Sequence, residues 1–143
     1  MSTMVTPITR PSLLLVLLVV ATLTEISSAW SIWPYKHIHV INGLTKSVLH
    51  VHCRSENDDR GYNDVAVGAE FTWRFKPHVF WTTKWTCEVS TDDQRRAIFD
   101  AYKEDADEQS REHKNNTYWV VKEDGVYLRH IEDNKDQYST NWQ

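Results

Sequence analysis

The chain has 143 residues, of which 16 are Lys or Arg and 20 are Asp or Glu, and its formal net charge at pH 7 is −4. A chain of this length can bury one core, so we predict a single folded domain. The negative net charge and the lack of a basic patch in the sequence argue against nucleic-acid binding, which needs a concentrated positive surface.

Residues 1–29 have the pattern of a secretory signal peptide. Arg10 supplies a positive charge, Leu13–Leu23 is an apolar run, and Ser27–Ala29 offers small residues for cleavage. The apolar run is shorter than the roughly 20 residues of a membrane span. We therefore predict a soluble, secreted, extracellular protein without membrane insertion, and a signal anchor is the alternative.

An extended arm at residues 30–35 is expected to lead into the first of two alternating runs. Residues 37–42 and 48–53 alternate between apolar and polar side chains, which is typical of half-buried strands. Asn42 and Gly43 predict a turn, so we expect these two runs to pair as a hairpin. Four histidines share the outward parity of the two runs: His37, His39, His50 and His52.

The rest of the chain contains further alternating or apolar runs that are bounded by turn residues. We predict strands or edge segments at residues 65–67, 70–75, 79–89, 97–103, 118–122 and 126–130. A helix that begins near Gln94 is the alternative to the strand at 97–103. The Asp124-Gly125 pair predicts a tight hairpin between the last two strands.

About seven short strands in a chain of this size predict an all-β fold, namely a small antiparallel β-sandwich of the immunoglobulin-like type. We place this domain at residues 36–130 and expect the polar residues 131–143 to form a loose tail. Several of the seven tryptophans have inward parity. We therefore interpret them as core residues rather than as a stacking platform for sugars.

The sequence contains two cysteines, Cys53 and Cys87. In a secreted chain an even number of cysteines predicts a disulfide bond, and two buried free thiols are the alternative. Their spacing does not match a zinc site. No metal, cofactor or catalytic residue is predicted.

Two polar segments are candidate surface sites. Residues 55–63 form a predicted charged loop after the first cysteine, in which Asp58, Asp59 and Arg60 are candidate recognition residues, and a plain solvated connector is the alternative. Asn115 begins the sequence Asn-Asn-Thr, which predicts N-glycosylation there unless the tripeptide is inaccessible.

An enzyme would need a recognisable catalytic motif, and no Gly-x-Ser-x-Gly, His-Glu-x-x-His or phosphate-binding loop occurs in the sequence. Trp33-Pro34 matches a ribonuclease motif only faintly, and we predict that the protein is not an enzyme. A glycan-binding sandwich is the stronger rival function. In that case Trp30, Trp33 and Trp81 would be the exposed aromatic side chains.

The ordered landmarks of the chain resemble the plant self-incompatibility S-protein family, also called S-protein homologues. These landmarks are Val40–Leu44, Leu49–Ser55, Asp58–Gly61, Phe71–Phe75, Trp85–Cys87, Trp119–Val121 and Asp124–Leu128. The resemblance implies a monomeric β-sandwich, secreted to the apoplast, that acts as a polypeptide ligand. Its implied partner is a cell-surface receptor in self-incompatibility or related cell–cell signalling. A cell-wall glycan is the second partner considered.

The chain departs from the family pattern at two places. The family usually carries two further cysteines late in the chain, and Thr117 stands at one of those positions. The resemblance therefore implies a Cys53–Cys87 bridge if the two missing cysteines were partners, and two orphaned thiols if they were not. Arg60 stands before Gly61, where the family often has an apolar residue, so this loop is expected to sit differently.

The predicted hairpin would crowd four imidazoles on one face of the sandwich. Plant extracellular fluid is mildly acidic, close to the intrinsic histidine pKa of about 6.5. Charged imidazoles repel one another, so we expect this face to resist full protonation. We predict that binding to a receptor or to the cell wall changes between about pH 5 and pH 7.

Overall fold

The computed structural model describes residues 12–22, 34–78, 82–104 and 111–143. The chain divides into two units, Met1–Pro34 and Tyr35–Gln143. Residues 12–22 of the first unit form an α-helix. No helix within the described ranges is both long and apolar enough to cross a membrane. The predicted cleavage site and residues 30–33 of the predicted arm lie outside the described residues.

Nine strands in two sheets make up the described part of the second unit, which confirms the all-β sandwich. The strands are β1 Lys36–Asn42, β2 Leu49–Arg54, β3 Asp59–Val65, β4 Glu70–Phe75, β5 Lys84–Ser90, β6 Arg96–Lys103, β7 Asn116–Lys122, β8 Gly125–His130 and β9 Lys135–Thr140. One sheet has the order β4-β1-β7-β8-β9 and the other β3-β2-β5-β6. The pairing of β1 with β7 is parallel, so the five-stranded sheet is mixed rather than purely antiparallel.

The predicted hairpin between the first two strands is wrong, because β1 and β2 belong to different sheets. Asn42 is fully buried, and its side-chain amide donates to the backbone carbonyls of Ser47 and Val65, each at 2.9 Å. Its side-chain oxygen accepts the backbone N–H of Leu44 at 2.9 Å. A β-carbon on Gly43 would lie 2.9 Å from a methyl group of Val120. Asn42 and Gly43 therefore form a buried corner that carries the chain between the sheets.

The core lies between the two sheets and is built from the inward-facing side chains of strands in which buried and exposed residues alternate. Its aromatic members include the three tryptophans Trp73, Trp85 and Trp119. The indole N–H of Trp119 on β7 donates to the carbonyl of Ala101 on β6 at 3.0 Å, which ties the two sheets together. The interpretation of the tryptophans as core residues is confirmed for these three.

The predicted strand at 97–103 is confirmed as β6, so the helical alternative fails. The tail prediction is wrong, because residues 135–140 form β9, an edge strand paired with β8. Beyond β9, the indole N–H of Trp142 donates to the carbonyl of Lys122 at 3.0 Å, and its ring packs against the core. The polar composition of this segment reflects an exposed edge strand rather than a loose tail.

Candidate recognition surface

The disulfide bond joins Cys53 on β2 to Cys87 on β5, which confirms the predicted bridge. The two residues are direct partners in the antiparallel register, their Cα atoms are 4.1 Å apart, and both side chains are fully buried. The alternatives of free or orphaned thiols are therefore wrong. The bridge fixes the end of β2, from which the predicted recognition loop departs.

The loop after β2 is shorter than the sequence predicts. The backbone N–H of Ser55 donates to the carbonyl of Asp58 at 2.8 Å, and the N–H of Asp58 donates to the Ser55 hydroxyl at 3.1 Å. These two bonds close a compact turn. The edge strand β3 already begins at Asp59, so Asp59 and Arg60 lie in a strand, whereas Asp58 stays in the exposed turn.

Asp59 is held by contacts within the domain. Its Oδ1 accepts the N–H of Gly61 and a ring N–H of His52, each at 2.8 Å. The Gly61 bond first, and the His52 bond second, lower the pKa of Asp59 below its ordinary value. The His52 ring also stacks on Tyr62, with 4.3 Å between ring centroids. The carboxylate of Asp59 therefore stabilises the edge strand, and Asp58 is the better recognition candidate.

Arg60 crosses the open side of the sandwich. Its guanidinium lies 5.4 Å from the ring centroid of the buried Trp85 and donates to the carbonyl of Arg74 on β4 at 3.2 Å. It also forms an ion pair with Asp58 at 3.0 Å. Arg60 thus links the edge strands β3 and β4 of the two sheets. Its cationic head covers the aromatic side chain that an apolar residue would otherwise pack against.

A groove with a volume of about 490 Å³ opens beside this turn. Residues 54–58 line one part of it, and residues 75–76, 78 and 82–86 line the rest. Of these two walls, the sequence predicted only the loop after β2 as a surface site. It could not predict the wall formed by residues 75–76, 78 and 82–86, because the two segments are distant in the chain and meet only when the sheets pack.

The four outward histidines do not come together, which corrects the prediction of one crowded face. His37 and His39 lie on the outer face of the five-stranded sheet, whereas His50 and His52 lie on the outer face of the four-stranded sheet. The prediction that these four side chains point outward is confirmed. The prediction that they share one face is wrong, because it depended on a hairpin between β1 and β2.

His50 lies between two carboxylates that the sequence analysis did not select. Its Nδ1 is 2.6 Å from Asp64 on β3, and its Nε2 is 2.7 Å from Asp92 in the turn between β5 and β6. Hydrogen bonding to Asp64 first, and to Asp92 second, raises the pKa of His50 above its ordinary value. Both contacts are good hydrogen bonds only when both ring nitrogens carry protons.

His39 has a different environment. Its ring stacks on Tyr118 with 4.4 Å between centroids, its Nε2 is 2.9 Å from the side-chain oxygen of Asn116, and its Nδ1 is 3.3 Å from Glu70. The outward histidines with polar partners therefore face carboxylates rather than one another. Among the described residues, no group of three or more His, Cys, Asp or Glu side chains is arranged to hold a metal ion.

The predicted glycosylation site lies in the turn before β7. Lys114 and Asn115 both have positive φ, 50° and 66°, as in a tight two-residue hairpin turn. The side-chain oxygen of Asn115 accepts a bond from the Lys36 ammonium at 2.9 Å, and Thr117 is buried. Asn115 itself is partly exposed, and its glycosylation stays a prediction. The tryptophans of the glycan-binding alternative, Trp30, Trp33 and Trp81, lie outside the described residues.

A profile of the family described as plant self-incompatibility protein S1 matches residues 37–142. S-protein homolog 6 of Arabidopsis thaliana is 35% identical over 80 residues, which are 56% of this chain and 57% of the relative. S-protein homolog 1 of the same plant is 28% identical over 107 residues, 74% of this chain and 70% of the relative. Self-incompatibility protein S1 of Papaver rhoeas is 25% identical over 104 residues, 71% of this chain and 73% of that protein.

The alignment with S-protein homolog 6 thus spans little more than half of that relative's length. A solved structure is also similar, and it is described as an SPH (self-incompatibility protein homologue) from a widespread family of small, highly stable, secreted plant proteins. The TM-score is 0.61 at 19% identity, with 79% of this chain and 98% of the solved chain covered. This second likeness supports the fold.

Proposed function

The chain belongs to the plant self-incompatibility protein S1 family, and from this membership we propose that it is a secreted polypeptide ligand for a cell-surface receptor. The family match covers most of the β-sandwich, and the solved relative is described as secreted. The expected setting is the apoplast, in self-incompatibility or related cell–cell signalling, with a monomer as the acting species. We propose no catalytic activity, and an assay of the purified protein for RNA cleavage tests this point.

We choose the exposed turn at residues 55–58 as the recognition surface because the strands on both sides of it are held in place. The disulfide bond fixes the strand before the turn, and Arg60 fixes the strand after it. Glu56, Asn57 and Asp58 are exposed on this support. A turn held in one conformation loses little conformational entropy on binding, which favours recognition.

Saturable binding to plant cells tests the proposal. Labelled protein should bind intact protoplasts in a manner that unlabelled protein competes away, and brief surface proteolysis of the cells should abolish it. Charge reversal in the turn, by Glu56→Lys and Asp58→Lys together, should weaken binding several-fold, because charges at the rim of an interface steer association. Asp59 is left unchanged because it stabilises β3.

The control with the same change in net charge is Glu132→Lys together with Asp133→Lys in the exposed turn between β8 and β9, where Glu132 is 3.3 Å from His113 and Asp133 is 4.0 Å from Lys135. This variant should bind like the parent. A thermal scan checks that both variants fold, because Asp58→Lys also removes the ion pair with Arg60. Binding that does not saturate, or that survives surface proteolysis, would contradict a protein receptor. Equal weakening by the control would show that net charge, rather than the turn, decides binding.

A further inference from the structure

The groove beside the turn at residues 55–58 combines three kinds of side chain. Phe75 and Trp85, which are almost fully buried, lie beneath it. Asn57 and Thr82 offer an exposed amide and an exposed hydroxyl at its walls. The groove also has basic side chains: Arg54, Lys76 and Lys84.

Within the described part of the chain, neither Arg54 nor Lys76 forms an ion pair. Arg54 does lie opposite Asp59 on β3, and its charge helps to lower the pKa of Asp59 and of Glu88. The Lys76 ammonium instead shares the ring of Tyr35 with the guanidinium of Arg74, at 4.9 Å and 4.7 Å from the ring centroid. Arg74 also has no carboxylate partner among the described residues. Like charges that share one ring repel each other, and a bound anion would relieve this repulsion.

The acidic groups at this groove are fewer and partly neutralised. Asp58 is already paired with Arg60 at 3.0 Å. Among the groove's cations, Lys84 is also partly neutralised, because it lies 3.5 Å from Asp100. Glu56 remains as an exposed acid at the rim. The chain as a whole carries a net charge of −4, so an excess of unpaired cations at one groove is a local departure from its overall charge.

The outer face of the four-stranded sheet shows the contrast. There Arg96 is bound to Glu88 at 2.7 Å, and His50 lies between two carboxylates. Cations on that face are matched across neighbouring strands, as is usual for a solvated sheet. Lys76, which has no such partner among the described residues, lies instead at the groove, a concave surface of ligand-binding size.

We propose that this groove binds a carboxylated saccharide, such as a short chain of uronic acids. The cations would pair with the carboxylates, and the amide and hydroxyl side chains would bond sugar hydroxyls. A neutral sugar would leave the cations unmatched, and a small inorganic anion would leave most of the groove unfilled. This binding site goes beyond the proposed receptor function and does not depend on it.

Calorimetric titration of the full chain with the trisaccharide of galacturonic acid, at low ionic strength, tests the site. Binding should weaken as salt is added, because the paired charges are exposed to solvent. The double variant Arg54→Gln and Lys76→Gln should bind about tenfold more weakly, since each cation supplies a charge-assisted hydrogen bond. Both side chains are exposed, and a thermal scan checks that the variant folds.

The control is Lys46→Gln, an exposed lysine in the segment between β1 and β2 at the opposite end of the sandwich, and it should bind like the parent. Three results would overturn the proposal. They are equal binding of the neutral trisaccharide of glucose, equal affinity for inorganic phosphate, and unchanged affinity in the double variant. The double variant's binding to protoplasts separates this site from the receptor surface, because the turn remains intact in it.

Discussion

At the scale of single residues, the chemistry of the outward histidines is set by carboxylates that neighbouring segments supply. Several groups face the His50 ring from the surrounding segments: His52 on β2, Asp64 on β3, Glu88 on β5, Arg96 on β6 and Asp92 in the turn between β5 and β6. Glu88 and Arg96 are paired with each other. The direct partners of His50 are thus two acids, so this part of the face takes up a proton more readily, rather than resisting it.

This arrangement predicts that the protein is more stable in mild acid. The folded-state pKa of His50 is raised above its ordinary value of 6.5, so its stabilising contribution is complete below pH 6.5 and is lost as the pH rises through the raised pKa. In the parent, the free energy of unfolding should therefore fall as the pH rises from about 6.5 into the mildly alkaline range. The effect should be small and sensitive to salt, because Asp64 and Asp92 are 75% and 87% exposed.

Denaturant titrations of His50→Gln across this pH range provide the measurement. The variant should show a flatter pH dependence than the parent. His37→Gln serves as the control, because the His37 side chain forms no ion pair within the described residues and should leave the slope unchanged. An identical slope in parent and His50→Gln would show that the two carboxylates do not hold the imidazolium.

At the scale of elements, the corner between β1 and β2 decides which sheet each strand joins. Asn42 satisfies two backbone carbonyls and one backbone N–H that the chain would otherwise bury without partners as it leaves the five-stranded sheet. Gly43 allows this corner to lie against β7. The same Asn-Gly pair in a two-residue hairpin would instead be exposed to solvent.

Replacement of the corner side chain should therefore be strongly destabilising. Asn42→Ala removes three hydrogen bonds in a buried place, and the unpaired groups that remain should lower the free energy of unfolding by about 3 kcal/mol. Urea denaturation followed by tryptophan fluorescence measures the change. Asn57→Ala, in the exposed turn, should change stability by less than about 0.5 kcal/mol. A similarly small change for Asn42→Ala would mean that the corner is solvated.

At the scale of the whole molecule, the disulfide bond is the covalent link between strands of the four-stranded sheet. It joins β2 to β5 over a sequence separation of 34, and the segment between the cysteines includes the exposed turn, β3, β4 and part of the groove. A loop of this length is expected to stabilise the fold by about 4 kcal/mol in the chain-entropy description. The bridge lies within one sheet, so the two sheets are held together by packing and by hydrogen bonds such as those of Trp119, Arg60 and Asn42.

Removal of the bridge should lower stability without changing the fold. The double variant Cys53→Ala and Cys87→Ala should lose about 2–4 kcal/mol of unfolding free energy. The parent should lose a similar amount on full reduction, whereas the double variant should be insensitive to reductant. Equal denaturation midpoints of the parent under oxidising and reducing conditions would contradict a stabilising bridge.

The sequence by itself determined the features that depend on neighbouring residues. Alternation with a period of two assigned side chains of β1, β2, β4 and β5 to the inner or outer side, and the Asp124-Gly125 pair marked the hairpin between β7 and β8. The common inward parity of Cys53 and Cys87 is compatible with their pairing. The order of the landmarks was sufficient to indicate the family. These patterns involve residues that are near one another in the chain, so they can be recognised without knowledge of the packing.

Only the tertiary structure decided which strands are neighbours. The alternating pattern shows that His39 and His50 point outward, but it does not show that they lie on opposite faces of the sandwich. Their faces depend on whether β1 pairs with β2 or with β7. The polar β9 gave no apolar signal, since an edge strand can leave much of its surface in water. The position of Arg60 over Trp85 and the joint walls of the groove arise from segments that are distant in sequence. Such contacts are fixed by the packing of two sheets, which no local pattern encodes.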